Sequence, residues 1–473
     1  MQTCEPWSGI IGINWTYVVG GILVLQCIAL LSVPSVLLNR RGRPTAALSW
    51  LFALFALPGL GSLLWWALGR TRLERKRRKS AAKRQAYVEA RGTPGRSGAT
   101  LFDRLFPERA FGDGIFSSAC NDAQLLIDGS AFFPAFEAAL KAARHSIHLA
   151  FYIFQDDETG RRILTLLEEK ARAGVTVRLL VDGFGTSHPK AIRLRLEQAG
   201  AELAIFLPSR IRPFYAPRAN FMNHRKIVVI DHELGFTGGM NIGHNYEHVW
   251  RDVMLELRGP SVNALEHVFF EDWYFATDQI LEGPNPTCEN KEGVSVATIA
   301  SGPDSEPWIL DAYFMFITGS TQRVWIVTPY FIPGTPMMEA LRTAAGRGVD
   351  VRIIVPEHSD VSVVAWASRS YYRVLVASGV KIYEYQGPML HAKALIVDSQ
   401  LLSVGTANID SRSFRLAFEV SCFVESQPKN QELAAWMASL CESAHPIDGP
   451  TLDKKGLWMK MLESAAHLFS PIL

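Results

Sequence analysis

At 473 residues the chain exceeds one ordinary hydrophobic core, so its length calls for two or three domains. A formal net charge of +2 excludes a whole-surface nucleic-acid binder, although the basic residues are unevenly spread. The six cysteines (Cys4, Cys27, Cys120, Cys288, Cys422 and Cys441) include no CxxC pair, which argues against a zinc site and predicts reduced thiols.

In chain order, residues 6–38 carry no charged side chain and include "YVVGGILVLQCIALLSVPSVLL". Residues 44–69 include "AALSWLFALFALPGLGSLLWWALG", again without a charge. Each run exceeds the roughly 20 apolar residues that span a bilayer core. Trp15 and Tyr17, then Trp65 and Trp66, lie where interfacial aromatics are expected. No lysine or arginine precedes the first run, so a signal peptide is disfavoured and a transmembrane hairpin is predicted over residues 1–70. Pro58, Gly59 and Gly61 leave a kink or partial insertion of the second arm open. Residues 70–84 hold nine basic residues against Arg40, Arg41 and Arg43 in the intervening loop. The heavier side is expected in the cytoplasm, together with the N-terminus, and its charge should attract anionic membrane lipids. Residues 71–118 read as a basic juxtamembrane segment and linker.

Beyond the linker the same order of parts occurs twice. "HSIHLAFYIF", "AGVTVRLLVDG" and "RLRLEQAGAELAIF" precede "NHRKIVVIDHELGFTGGMN"; "QRVWIVTPYF", "GRGVDVRIIVP" and "YYRVLVASGVKIYEY" precede "LHAKALIVDSQLLSVGTAN". Short β-branched and aromatic runs alternate with helical patterns, which predicts two similar α/β halves, 119–290 and 291–440, related by a pseudo-two-fold. Residues 441–473 form an amphipathic C-terminal tail.

Both halves carry HxKxxxxD. In an extended strand residues two apart share a face, so His224 with Lys226, and His391 with Lys393, present a nucleophile beside a fixed positive charge. Asp231 and Asp398 fall an odd number of residues on, and a structural part within the motif is expected of them. The small-residue turns "GGMN" and "GTAN" put Gly239 and Thr406 where a backbone can approach an anion, and Asn241 and Asn408 can donate to phosphate oxygens. Asp252 and Glu419 each follow their histidine by 28 residues and are candidates to hold an imidazole Nδ1 proton. Converging on one site, these groups suit a phosphodiester: lysines and amides stabilise the five-coordinate phosphorus, one histidine attacks and the other moves the proton. Neither a metal nor a cofactor is required. His244 and His248 have helical ligand spacing but lack an evident third ligand.

With both motifs in hand, the chain resembles the phospholipase D superfamily and, within it, is similar to the bacterial cardiolipin synthases. The resemblance rests on "HRKIVVID…GGMN", "WRDV", "HAKALIVD…GTANID" and the apolar hairpin. It implies reaction of two phosphatidylglycerol molecules to cardiolipin and glycerol at the bacterial inner membrane by a multi-pass protein with a cytoplasmic catalytic body. It marks His224, Lys226, Asp231, His391, Lys393 and Asp398 as motif residues, with His224 the nucleophile and His391 the acid and base. A hydrolase with water as acceptor is the alternative. Upstream of His224, Arg210, Arg212 and Arg218 are interleaved with Phe214 and Tyr215, which suits either a lipid-contacting loop or a plain covering loop. The tail "KKGLWMKMLESAAHLFSPIL" fits either a bilayer surface or the catalytic body. No nucleic-acid partner is expected, and a homo-oligomer is left open.

Overall fold

The computed structural model describes residues 15–39, 44–66, 72–93, 100–106, 114–207, 221–284, 293–468 and 470. The chain divides into two compact units, Met1–Lys79 and Ser80–Leu473.

In the first unit the apolar run forms helix Trp15–Asn39, of which Val19–Asn39 is long and apolar enough to cross a membrane. Ser32 is satisfied within it, its Oγ donating to the Ile28 carbonyl at 2.8 Å. The second run makes helix Pro44–Ala56, breaks at Leu57, and resumes as Pro58–Leu64. Pro58 disfavours the helical region for the residue before it, and Leu57 takes φ −135°, ψ 69°. Gly61 then lets the chain fold back: a Cβ there would lie 2.1 Å from the Ala53 carbonyl oxygen. Three contacts fix the return. Gly59 abuts Leu25, the Trp65 indole donates to Ser35 Oγ at 3.3 Å, and that of Trp66 to Ser32 Oγ at 2.9 Å. The hairpin's second arm is thus two pieces of 13 and 7 residues, neither of spanning length.

The second unit is built on one 15-stranded sheet. The first half supplies β1 (Ile115–Ile127), β2 (Ser146–Phe151), β3 (Thr176–Asp182), β4 (Glu202–Phe206), β5 (Ile227–Ile230), β6 (Leu234–Gly238) and β7 (Val253–Arg258). The second supplies β8 (Val294–Ser301), β9 (Arg323–Val327), β10 (Asp350–Pro356), β11 (Lys381–Tyr385), β12 (Ala394–Val397), β13 (Leu401–Gly405), β14 (Glu419–Glu425) and β15 (Ala444–Ile447). The strand order is β15-β11-β10-β9-β12-β13-β14-β8-β1-β7-β6-β5-β2-β3-β4. Outward from the central antiparallel pair β1–β8, the first half runs 1-7-6-5-2-3-4 and the second 8-14-13-12-9-10-11, the same topology shifted by seven. β15 is an addition to the second half.

Within each half the first three strands after the central one are parallel, with helical crossovers, and the motif strands join them antiparallel. "IVVI" and "ALIV" are buried throughout because both sheet faces are covered, which is why these strands read as continuous apolar runs.

The segment expected as linker is structured at both ends. Helix Arg72–Arg91 runs into the second unit, where Tyr87 is buried against His267 and Lys83 pairs with Asp278 at 2.6 Å. β1 begins at Ile115. One expectation is corrected outright: Cys120 is disulfide-bonded, so the thiols are not all reduced.

Asp231 and Asp398 close the motif strands. Both have positive φ, 52° and 50°, which Asp tolerates better than bulkier residues. Asp231 accepts the backbone N–H groups of Arg144, His145 and Ser146 at 2.7–2.9 Å. Asp398 likewise accepts those of Thr321, Gln322 and Arg323. Each clasps the end of its motif strand to the start of the antiparallel neighbour, β2 or β9. Asp231→Ala leaves three N–H groups without that acceptor and is expected to cost about 1 kcal/mol or more. Thermal unfolding of the purified protein measures this, and an unshifted midpoint would reject the clasp.

Candidate active site

Both histidine segments cross to the opposite half. The His224 N–H donates to the Phe418 carbonyl at 2.9 Å, and the Phe418 N–H returns to Met222 at 3.0 Å. The His391 N–H donates to the Arg251 carbonyl at 2.8 Å, and the Arg251 N–H to Met389 at 2.9 Å. Phe418 and Arg251 immediately precede Glu419 and Asp252, so each histidine lies beside the other half's carboxylate.

The side chains pair accordingly. Glu419 accepts from His224 Nδ1 at 3.0 Å, and Asp252 from His391 Nδ1 at 2.8 Å. A carboxylate only accepts here, so each ring carries its proton on Nδ1 and, when neutral, turns an Nε2 lone pair to the site. The sequence placed Asp252 and Glu419 at matching offsets; the tertiary structure exchanges their partners between the halves.

The turn residues buttress these carboxylates. Thr406 Oγ1 donates to Glu419 and accepts the Val420 N–H at 3.0 Å, while the Thr406 carbonyl lies 3.1 Å from His224 Nδ1. At the equivalent position Gly239 leaves room for Asp252: a Cβ there would fall 2.0 Å from Asp252 Oδ1. Gly239 and Thr406, expected to approach phosphate, shape the histidine-holding carboxylates.

The asparagines differ. Asn241 Oδ1 accepts the Ile153 N–H at 3.0 Å and its Nδ2 donates to Tyr246 Oη at 2.9 Å, so much of its capacity serves the fold. Asn408 is buried with Oδ1 lacking a protein partner, which leaves that oxygen open to a donor such as a hydroxyl.

Both lysines are buried. Lys226 Nζ donates to the His224 carbonyl at 2.7 Å and lies 5.7 Å from the Tyr152 ring centroid. Lys393 Nζ is 3.2 Å from His391 Nε2. Burial, with the Lys393 charge, pulls Lys226 down to about 7 against the pull of Glu419. Burial lowers Lys393 to about 8 against Asp252 and Glu419. His224 is lowered by burial against Glu419, and burial with Lys393 takes His391 down to about 3 against Asp252. Charges from both motifs thus act on one another across the dyad, and both imidazoles are neutral at neutral pH.

Sequence reasoning missed the aromatic walls. Tyr152 packs edge-on to His224 with ring centroids 5.1 Å apart, and His391 lies 5.4 Å from Tyr246 and 5.2 Å from Trp250. Their only signal was position, beside a strand end and before Asp252. It also missed Arg225, whose guanidinium binds Asp272 at 2.6 Å and the Glu419 and Ser301 carbonyls at 3.1 and 3.2 Å. Ala392 stands at its place in the second motif. Asp231 and Asp398 touch neither histidine. Arg210, Arg212, Phe214, Tyr215 and Arg218 lie outside the described residues. His244 and His248 have ring centroids 4.8 Å apart, and no group of three metal-ligating side chains forms among the described residues.

Because Lys226 must be a cation to stabilise a phosphorane, kcat/KM is expected to fall as pH rises through about 7, where the free enzyme loses that proton. The limb in kcat should lie higher, since bound phosphodiester favours the ammonium. Initial rates across pH 5.5–9.5 measure this (roughly two units either side); a kcat/KM flat from 6 to 9 would remove Lys226 as the titrating cation.

Comparison with known proteins agrees with this geometry. The family described as "Cardiolipin synthase, PLD-like domain" matches residues 136–273 and 313–441. A cardiolipin synthase of Geobacillus sp. (strain WCH70) is 35% identical over 100% of this chain and 96% of its own length. One from Geobacillus thermodenitrificans (strain NG80-2) is 37% identical over 91% and 89%. Among solved structures, phosphatidylserine synthase of Haemophilus influenzae Rd KW20 superposes with a TM-score of 0.60 at 15% identity, covering 74% of this chain and 95% of that one, a likeness of fold. With two matched domains and full-length relatives above 30% identity, the chain belongs to the cardiolipin synthase family of phospholipase D-like proteins.

Proposed function

We propose that this chain transfers a phosphatidyl group from one phosphatidylglycerol to the hydroxyl of another, giving cardiolipin and free glycerol. The observation that carries the reading is the crossed pairing, Glu419 with His224 and Asp252 with His391, which gathers both motifs around one site.

In the first step His224 Nε2 attacks phosphorus, the P–O bond to glycerol breaks, and His391 gives its proton to the departing alkoxide. An imidazolium at His391 is a strong acid because burial and Lys393 disfavour it; the arriving phosphodiester anion supplies the charge that allows it to form. In the second step neutral His391 takes the proton of the acceptor hydroxyl, whose oxygen attacks phosphorus as the P–N bond breaks. Lys226 and Lys393, with Asn408 donating through Nδ2, stabilise the non-bridging oxygens in both steps. Asp231 and Asp398 act only through the fold, and the halves 119–290 and 291–440 contribute one histidine each.

Purified protein given phosphatidylglycerol should release glycerol and cardiolipin in equal amounts, read by mass spectrometry; phosphatidic acid alone would instead establish the hydrolase. Digests of alkali-quenched turnover should carry the phosphatidyl adduct on the His224 peptide, and an adduct on His391 would reverse the two roles.

The fold-back at Leu57–Gly61 supports one crossing followed by a re-entrant segment, with Trp66 returning to the level of Ser32. The chain then leaves the bilayer on the face where the first helix ended. The positive charge of Arg40, Arg41, Arg43 and the nine basic residues of 70–84 favours the cytoplasm for that face, near anionic lipid headgroups, and a single crossing would put the N-terminus opposite. The full hairpin, with the N-terminus on the same side as the body, is the alternative arrangement. The Cys120 disulfide favours the reverse orientation, with the body on an oxidising face. With native accessible thiols substituted, an impermeant thiol reagent on intact cells should label Gln2→Cys and spare Thr343→Cys. The opposite pattern would establish the reverse orientation.

A further inference from the structure

The C-terminal helix Leu457–His467 packs the wrong way round for a helix facing water. Its protein-facing side buries Glu463, which accepts from Lys455 Nζ at 2.6 Å, and Ala466. His467 reaches the body too, 3.0 Å from Ser370 Oγ and with its ring tilted against Tyr371 at 4.8 Å between centroids. Its outward side holds the large apolar groups: Leu457 and Trp458 are each 75% exposed, Met461 56% and Leu468 77%. A helix that turns its glutamate inward and its tryptophan outward is stable in that pose only where an apolar phase meets the outward face.

Three observations identify that phase. Lys454 and Lys460 flank the apolar side chains, an arrangement that suits apolar groups entering an interface while ammonium groups meet anionic headgroups. A tryptophan sits among them, the side chain favoured at headgroup depth. The helix also packs on helix Ser362–Ala377, which exposes Val363 and Val374, and just before it lie exposed Val361 and Asp360. Asp360 accepts from Tyr330 Oη at 2.8 Å, and its charge acts on Lys393 and Tyr246 in the active site. The apolar surface therefore extends to Val361, next to the Asp360 carboxylate that pairs with Tyr330.

We propose that helix Leu457–His467 lies in the surface of an anionic bilayer and holds the active-site mouth against the lipid that the enzyme consumes. The proposal rests on the reading of a phosphatidylglycerol substrate. It makes the tail a membrane-docking element additional to the N-terminal helix.

The test uses the full-length protein and two forms of substrate: phosphatidylglycerol in bilayer nanodiscs, and dihexanoyl phosphatidylglycerol as dispersed monomers. Leu457→Ser/Trp458→Ser/Met461→Ser should raise KM in nanodiscs about tenfold with kcat kept, and leave monomer turnover unchanged. Trp458→Phe should retain nanodisc activity while losing the part of the tryptophan fluorescence that brominated acyl chains quench. An equal loss on both substrates would make the helix merely structural, and no loss on either would overturn the proposal. A wild-type dimer dissolved by the triple variant, with unquenched Trp458, would assign the face to a second copy of this chain. Turnover is counted as lipid consumed, so a hydrolytic product would overturn the transferase reading while the nanodisc-to-monomer ratio still reports on the helix.

Discussion

Two hydrogen bonds across the β1–β8 join, His224 to Glu419 and His391 to Asp252, are the constraint on which the rest of the catalytic unit depends. Lys226 and Lys393 are buried close by, and an isolated buried ammonium costs several kcal/mol of desolvation unless counter-charge and hydrogen bonds offset it. Neither half supplies that environment alone, because its carboxylate serves the partner's histidine. The two halves are consequently inseparable as a working site, and the continuous sheet through β1 and β8 is the rigid frame that keeps the crossing in register.

Within that frame the repeats have diverged in ways that give the two histidines different surroundings. Gly239 makes space for Asp252 where Thr406 adds a hydroxyl to Glu419. Asn241 is committed to Ile153 and Tyr246, whereas Asn408 keeps its Oδ1 for a ligand. Arg225 ties the first motif to Asp272 and to the backbone of Glu419, and Ala392 has no such reach. A phosphodiester between them meets a site whose topology is symmetric and whose chemistry is not, which suits a reaction in which one histidine becomes covalently loaded while the other carries a proton out and another in.

The membrane parts obey the same rule of satisfied polarity in a different solvent. Ser32 and Ser35 give the indoles of Trp65 and Trp66 acceptors along an otherwise apolar helix, and the return of the second apolar run is paid for by glycine at the point of closest approach. At the other end of the chain, Glu463 is satisfied inward by Lys455 while apolar groups face outward. The first of these helices is long and apolar enough to cross a membrane, and the second turns outward the face proposed to meet one.

The sequence by itself determined the duplicated α/β plan, the apolar helix and the chemistry-bearing residues, because these are carried by period-two strands, uninterrupted apolar runs and repeated offsets that any local reading detects. It marked Asp252 and Glu419 as imidazole partners and assigned Asp231 and Asp398 to the fold. Only the tertiary structure decided that those partners are exchanged, since each bond joins residues 139 or 195 positions apart and nothing local encodes which half faces which. The same holds for Tyr152, Tyr246 and Trp250, aromatics that a linear reading cannot tell from core, and for Gly239, whose closeness to Asp252 exists only once β6 and β7 pair. The second apolar run was long enough to span by composition; Pro58 and Gly61 mattered because backbone geometry at those points, rather than hydrophobicity, sets where a helix ends.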